Sequence, residues 1–407
     1  MPQNSRTAIV LVTSLFFLWA LAHNLNPIHI PHLRKALHLS DFRSALVDSA
    51  FFIAYFVMAL PAGAVMKRFG YRMGIVGGLL LFATGTFLFW PAATLRSFPF
   101  FLSALFVIAS GLTFLETAAN PYVSVLGDAS TAPRRLNFAQ AFNGLGAALA
   151  TWLGGRFILS GHALTDEQIG AMDPQALDAF YTQEALAVRL PYQIIGLIVL
   201  VAAVLFLRTH LPEIDDSGNG DSPADPRARR RLTFGVIAQF CYVGAQVGVA
   251  SFFIRFSGKV AGIGEKDAAY LLSIGLLLFM SGRFIGTALM KWMSAPRLLA
   301  ICAFANLVLI GVAVAAGGYT AVVALLGVEL FMSIMFPTIF SLSIEGLGRD
   351  TKLGSSLLVM SIVGGAVVPP IMGAISDRSN IQLAYLAPVL CFVVVLLFAR
   401  QIERMRT

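Results

Sequence analysis

Apolar runs of about 20 residues recur along nearly the whole chain, about twelve of them. That repetition limits the possible folds more than any other feature, because about 20 apolar residues are what a helix needs to cross the hydrocarbon core of a bilayer. In lipid the backbone must satisfy its own hydrogen bonds, so the spans are helices. A membrane barrel would instead alternate over segments of about ten residues. With 57% hydrophobic and 12% charged residues, against about 25% charged in soluble domains, the chain reads as an all-α membrane protein with twelve transmembrane helices.

The runs place spans near Thr7–Leu33, Ser44–Met66, Met73–Ala93, Phe98–Leu126, Leu136–Leu159 and Leu190–Leu207. A second set follows near Leu232–Phe256, Ala268–Trp292, Leu298–Ala316, Ala321–Ile344, Gly354–Ser376 and Leu383–Ala399. Between the sets lies the one long polar stretch expected on the cytoplasmic side, Glu213 to Arg231, rich first in Asp, Gly and Ser and then in Arg. Such composition cannot build a packed core and reads as a flexible linker. The expected organisation is therefore two six-helix halves, 1–212 and 232–407, joined by a cytoplasmic linker at 213–231.

The net charge of +8 does not indicate nucleic acid, since the basic residues sit in particular loops. Most of the 29 Lys and Arg fall on the side that carries both termini. The positive-inside rule makes that side the cytoplasm, and an even number of spans requires the termini to share it. The basic corner Met66-Lys67-Arg68-Phe69-Gly70-Tyr71-Arg72 after the second span has a weak counterpart after the eighth, in Met290-Lys291-Trp292 and Arg297. The acidic segment Thr165–Arg189 reads as a solvated extracellular cap. Arg6, the apolar run to Trp19 and Ala20-Leu21-Ala22 resemble a signal peptide. Cleavage would leave an odd number of spans, so the segment is read as the first helix. Cys241, Cys302 and Cys391 are far apart in sequence and odd in number, a pattern of small buried side chains with no disulfide framework or metal cluster.

Function must then be sought in the few polar groups within the spans. Ionisable residues there are rare and by default mark a pathway, a proton relay or a site. Asp48, Glu116 and Glu329 qualify, and burial lets a carboxyl titrate near neutral pH. Around them lie amides at helical spacing: Glu116 and Asn120 before Pro121; Asn137, Gln140 and Asn143 on one face; Gln239, Tyr242 and Gln246 on another. The first span adds Trp19, His23, Asn24 and Asn26 before Pro27. Amides both donate and accept, which suits hydroxyl groups, and an aromatic such as Trp19 or Tyr242 can cover the apolar face of a sugar ring. Helix-to-helix adhesion is the competing role for any one amide stripe. No Lys or Arg is placed mid-span beside these amides in a way that suggests an anionic ligand, so a neutral polyhydroxylated ligand fits best. Walker, HExxH, GxSxG and CxxC signatures are absent from the sequence, so an enzyme is not expected, nor is any cofactor or metal.

At these residues the chain resembles the L-fucose permease, or fucose–galactose–glucose:proton symporter, family of the major facilitator superfamily. The resemblance runs nearly end to end. It is carried by Phe16-Phe17-Leu18-Trp19 with Asn24-Leu25-Asn26, by Glu116-Thr117-Ala118-Ala119-Asn120-Pro121-Tyr122, and by Ala139-Gln140-Ala141-Phe142-Asn143. In the second half it rests on Ala238-Gln239-Phe240-Cys241-Tyr242-Val243-Gly244-Ala245-Gln246, Gly282-Arg283-Phe284 and Pro337-Thr338-Ile339-Phe340-Ser341-Leu342.

The resemblance implies the major facilitator fold, alternating access and a sugar site between the halves. It places the family's membrane glutamate on Glu116, its site-lining amides on Gln140 and Asn143, and its first-helix pair on Trp19 and Asn24. Two positions depart from the family. Its second essential carboxylate, an aspartate after Asn-Leu-Asn, is Pro27 here, and its sugar-contacting tyrosine before Pro-Thr-Ile-Phe is Phe336. Asp48 is the expected replacement carboxylate.

The expectation is thus a proton symporter importing a neutral monosaccharide, with Glu116 and Asp48 coupling protons. Substrate contacts are expected from Trp19, His23, Asn24, Asn26, Asn120, Gln140, Asn143, Gln239, Tyr242, Gln246 and Phe336. The expected partners are the monosaccharide, protons and the lipid bilayer, with no nucleic acid, and the chain is expected to be monomeric in a bacterial-type inner membrane. A facilitator without proton coupling, made plausible by Pro27, and an exporter of lipophilic drugs are the alternative readings.

Overall fold

In the computed structural model of the chain the described residues are 11–20, 41–157, 172–187, 189–209 and 226–406. His23, Asn24, Asn26 and Pro27 lie outside them. The described chain is helical almost throughout: α1 (Leu11–Ala20), α2 (Asp41–Leu95), α3 (Phe98–Val125), α4 (Ala132–Phe157), α5 (Pro174–Ala187) and α6 (Arg189–Arg208). There follow α7 (Pro226–Ala261), α8 (Glu265–Leu289), α9 (Ala295–Ala315), α10 (Gly318–Met332) and α11 (Met335–Ile344). The last elements are α12 (Thr351–Met360), α13 (Gly364–Arg378), the one-turn α14 (Ile381–Ala384) and α15 (Leu386–Arg406).

The 55 residues of α2 would stretch to about 80 Å as one rod, far beyond a bilayer of about 30 Å. The chain breaks at Gly70, where φ is 82° and ψ 171°. A glycine is needed there for its backbone, not for space, since a Cβ at this position would meet nothing within 4 Å. Among the described residues nine segments are long and apolar enough to span. With α2 divided at Gly70, and with α1 and α4, they make up the twelve spans of the fold. Two spans are themselves interrupted. α10 and α11 meet at Ser333–Ile334, and α12 and α13 meet at a 3-10 turn, Ser361–Val363.

The helices cluster into two compact units, one holding Pro2–Ala119 and Phe142–Pro212 and the other Asn120–Ala141 and Glu213–Thr407. In the first unit glycines let backbones touch. A Cβ on Gly111 of α3 would sit 2.5 Å from the Phe82 nitrogen and 2.7 Å from the Gly78 carbonyl of α2, a small-residue contact of the kind that packs membrane helices. Phe89 of α2 stacks on Tyr192 of α6 with centroids 3.8 Å apart. The Arg72 guanidinium donates to the terminal carbonyls of α6, those of Phe206 (3.1 Å) and Leu207, where a cation also opposes the negative end of the helix dipole. The acidic cap is partly helical, as α5, and its Asp178 pairs with Arg96 at 2.7 Å.

In the second unit α7 begins at Pro226, so Arg227 and Arg229–Arg231, expected in a flexible linker, form its first turns. Proline suits a first turn, and partners hold the arginines. Arg229 pairs with Asp350 at 3.1 Å and Arg231 with Glu345 at 4.0 Å. The Gln382 amide donates to the carbonyls of Ala313, Val314 and Ala316 (2.7–3.3 Å) and so closes the end of α9. Cys241 of α7 and Cys391 of α15, remote in sequence, have hydrogen-bonded thiols, and all three cysteines are free.

Candidate functional site

In the first unit the central group is Glu116. It lies in α3, 8% exposed, and its Oε1 accepts a hydrogen bond from the Tyr55 hydroxyl at 2.8 Å. Tyr55 stands one turn from Phe51 on α2, and their rings stack at 6.3 Å. Sequence reasoning missed Tyr55, because an aromatic residue in an apolar run carries no signal of its own. Trp19 of α1 is buried and tilted against Phe16, with centroids 4.7 Å apart. Asn143 of α4 is half-buried, which leaves part of its amide accessible. Asp48 falls within α2, but its side chain is outside the described residues.

In the second unit Asn120 and Gln140, both buried, face each other. Gln140 Nε2 donates to Asn120 Oδ1 at 3.0 Å, while Asn120 Nδ2 has no partner. Asn137 donates to the Pro133 carbonyl at 2.8 Å and to Thr338 Oγ1 at 3.0 Å, so this member of the predicted stripe joins α4 to α11. Gln239 is fully buried and neither end of its amide is paired. Tyr242 is also buried, and its ring lies 6.5 Å from that of Phe336. Phe336 stacks in turn on Phe340 at 6.3 Å. Gln246 and Phe336 are half-buried.

Arg283 lies mid-span among these amides, with its donors turned to backbone carbonyls. It is 7% exposed, and Nη1 donates to the Gln140 carbonyl at 2.7 Å and Nε to the Ser333 carbonyl at 2.9 Å. The cause is local. Pro337 has no N–H, so the Ser333 carbonyl four residues earlier loses its helical donor, and Arg283 supplies one. The Tyr242 hydroxyl does the same for the neighbouring Met332 carbonyl at 3.2 Å. The break between α10 and α11 is therefore closed by side chains from α7 and α8, as broken helices inside membranes require. The Gly-Arg-Phe string marked Arg283, but the need for it lies at Pro337, 54 residues on.

Glu329 of α10 is 2% exposed and its Oε1 has no partner. Its side chain packs against Gly275 of α8, where a Cβ would come within 3.2 Å of Glu329 Cγ. Three kinds of chemistry are thus present: buried carboxyls, amides with unused hydrogen-bonding capacity, and aromatic faces. Carboxyls of this kind can carry a proton, amides bond hydroxyl groups and aromatics cover apolar ring faces.

Known proteins resemble this chain over nearly its whole length. The L-fucose-proton symporter of Escherichia coli (strain K12) is 42% identical over 97% of this chain and 94% of its own. The glucose/galactose transporter of Brucella abortus biovar 1 (strain 9-941) is 43% identical over 96% and 92%. A crystal structure described as a Major Facilitator Superfamily transporter, FucP, in the outward conformation superposes with a TM-score of 0.91 and 41% identity, covering 98% of this chain and 99% of that one. The sequence pattern of the Major Facilitator Superfamily matches residues 10–353. That match, with identity above two fifths along nearly the entire chain, means that the chain belongs to the Major Facilitator Superfamily.

Proposed function

We propose that the protein is a proton-coupled importer of a neutral monosaccharide of the fucose, galactose or glucose class, working by alternating access. The observation that carries this reading is Glu116: a membrane carboxyl, buried and gripped by Tyr55, in a chain more than 40% identical to a fucose–proton symporter and a glucose/galactose transporter. Glu116 takes a proton from the outer side and releases it inside, and a carrier whose carboxyl is neutral and whose sugar site is filled reorients. Protons and sugar drive the change only through different affinities for its two states. Asp48 serves as the second proton-linked carboxyl where Pro27 replaces the family aspartate. The sugar-binding set is Trp19, His23, Asn24, Asn26, Asn120, Gln140, Asn143, Gln239, Tyr242, Gln246 and Phe336. Its amides meet hydroxyl groups and its aromatics meet the ring.

The division into 1–212, a connection at 213–231 whose last residues open α7, and 232–407 is part of the same reading, as are a bacterial inner-membrane location, cytoplasmic termini and a monomeric state. Both relatives' names describe transporters, which supports transport and not catalysis. The test is internal pH in proteoliposomes challenged with a panel of monosaccharides. Sugar-evoked acidification of the lumen, lost in Glu116→Gln, is the expected result. Sugar entry with no proton movement would establish a facilitator instead.

A further inference from the structure

The basic corner at the end of α8 has no part in transport as proposed above, yet it adjoins a groove. Between α8, α9 and α10 lies a half-open cavity of about 200 Å³ whose walls are almost wholly apolar. Ile285 and Leu289 of α8, Ile301 of α9 and Leu330 of α10 line it, and Met293 and Leu298 border it at the connection from α8 to α9. Gly282 and Gly286 let α8 pack closely on Leu330, Ser333 and Ile334, and that close-packed seam forms part of the groove's wall. Ile285 and Ile301 are about half exposed, so the groove opens on the outer, lipid-facing surface of its unit.

The charge at one end is one-sided. Lys291 lies between Leu289 and Met293, and Arg297 directly precedes Leu298; both are exposed. Between Asp267 and Glu329 the sequence contains no acidic residue, and among the described residues neither base forms an ion pair. Between them Trp292 is 78% exposed, the position of an aromatic that sits at headgroup level. An apolar recess ending in an unneutralised basic rim at the membrane surface matches one kind of molecule: basic sites between spans take anionic headgroups, and the recess takes a hydrocarbon tail.

We propose that this groove is a binding site for an anionic phospholipid of the phosphatidylglycerol type. One acyl chain lies along Ile285, Leu289, Ile301 and Leu330, and the phosphate rests on Lys291 and Arg297. The assignment stands whether or not the chain carries sugar.

The test uses the full chain in phosphatidylcholine nanodiscs doped with phosphatidylglycerol bearing a mid-chain diazirine. The same diazirine on phosphatidylcholine serves as reference. After illumination and digestion, peptides spanning 282–302 should be labelled several-fold more by the glycerol lipid. Lys291→Gln with Arg297→Gln should cut that labelling several-fold, to the phosphatidylcholine level. Lys67→Gln with Arg68→Gln, in the matching corner of the first half, should leave it unchanged. Ile301→Trp fills the groove from its exposed side and should remove labelling while both charges remain, with the melting temperature reporting an intact fold. Equal labelling by the two lipids, or labelling that survives removal of both charges or filling of the groove, would show ordinary boundary lipid and overturn the proposal.

Discussion

The Tyr55 hydroxyl donates to Glu116 Oε1 at 2.8 Å across 61 residues of sequence, so the carboxyl assigned to proton coupling is held by a phenol from another span. A hydrogen bond to a charged group is worth about 1.5–3 kcal/mol, and about 1.4 kcal/mol is a factor of ten. Tyr55→Phe is therefore expected to slow proton-driven sugar uptake about tenfold or more. Sugar exchange at equal concentrations on both sides, which needs no net proton movement, should fall less. Radiolabelled uptake and exchange in the same vesicles check the difference.

Arg283 replaces a hydrogen bond that Pro337 cannot make and reaches a second carbonyl on Gln140. A lysine keeps the charge but not the planar fork. Arg283→Lys should lower the melting temperature and cut uptake at least tenfold. Arg283→Gln should do more harm, since the Ser333 carbonyl is then left without a charged donor. If Arg283→Lys melted and transported like the wild type, the closing of the helix break would have to be credited to Tyr242 alone.

Two glycines with opposite surroundings provide a matched pair. At Gly111 a Cβ would press on the backbone of α2, at 2.5 Å from the Phe82 nitrogen, whereas at Gly311 of α9 it would meet nothing within 4 Å. Overpacking costs about 1–3 kcal/mol, while alanine in place of glycine within a helix gains about 0.5–1 kcal/mol. Gly111→Ala should thus melt lower and Gly311→Ala equal or higher, read by thermal unfolding in detergent. Similar shifts at both positions would contradict the packing described between α2 and α3.

Glu329 is buried with one carboxyl oxygen unpaired. A glutamine keeps its shape and removes the possibility of a buried charge. Glu329→Gln should retain sugar-evoked acidification within about twofold, against about a tenfold or greater loss for a working proton group, and should melt no lower than the wild type. Loss of acidification with sugar exchange preserved would make Glu329, and not Asp48, the second proton-linked carboxyl.

The spans were legible because lipid permits few solutions, and Glu116 and the amides stood out because polar groups in apolar runs are costly. Tyr55, Arg283 and the Cys241–Cys391 contact were not legible in the same way. Each depends on a partner far along the chain, and local pattern records no distances. The start of α7 was hidden for a related reason. The charges of Arg229 and Arg231 suggested solvent, but Asp350 and Glu345, more than 100 residues away, neutralise them and let α7 start earlier. Asn137 shares a helical face with Gln140 and Asn143 by spacing, but spacing does not tell that it bonds α4 to α11, as polar residues between membrane helices often do.

The single glycine at which α2 breaks has a consequence for how the chain is made. With no loop at Gly70, one residue's backbone joins the two spans, so they are expected to insert as a pair. Lys67, Arg68 and Arg72 crowd the bend, and by the positive-inside rule such charges resist passage across the bilayer. A residue that required φ below zero at this position would therefore disturb biogenesis first. Its signature would be a failure of the newborn protein to accumulate, well before any loss of transport by the mature one.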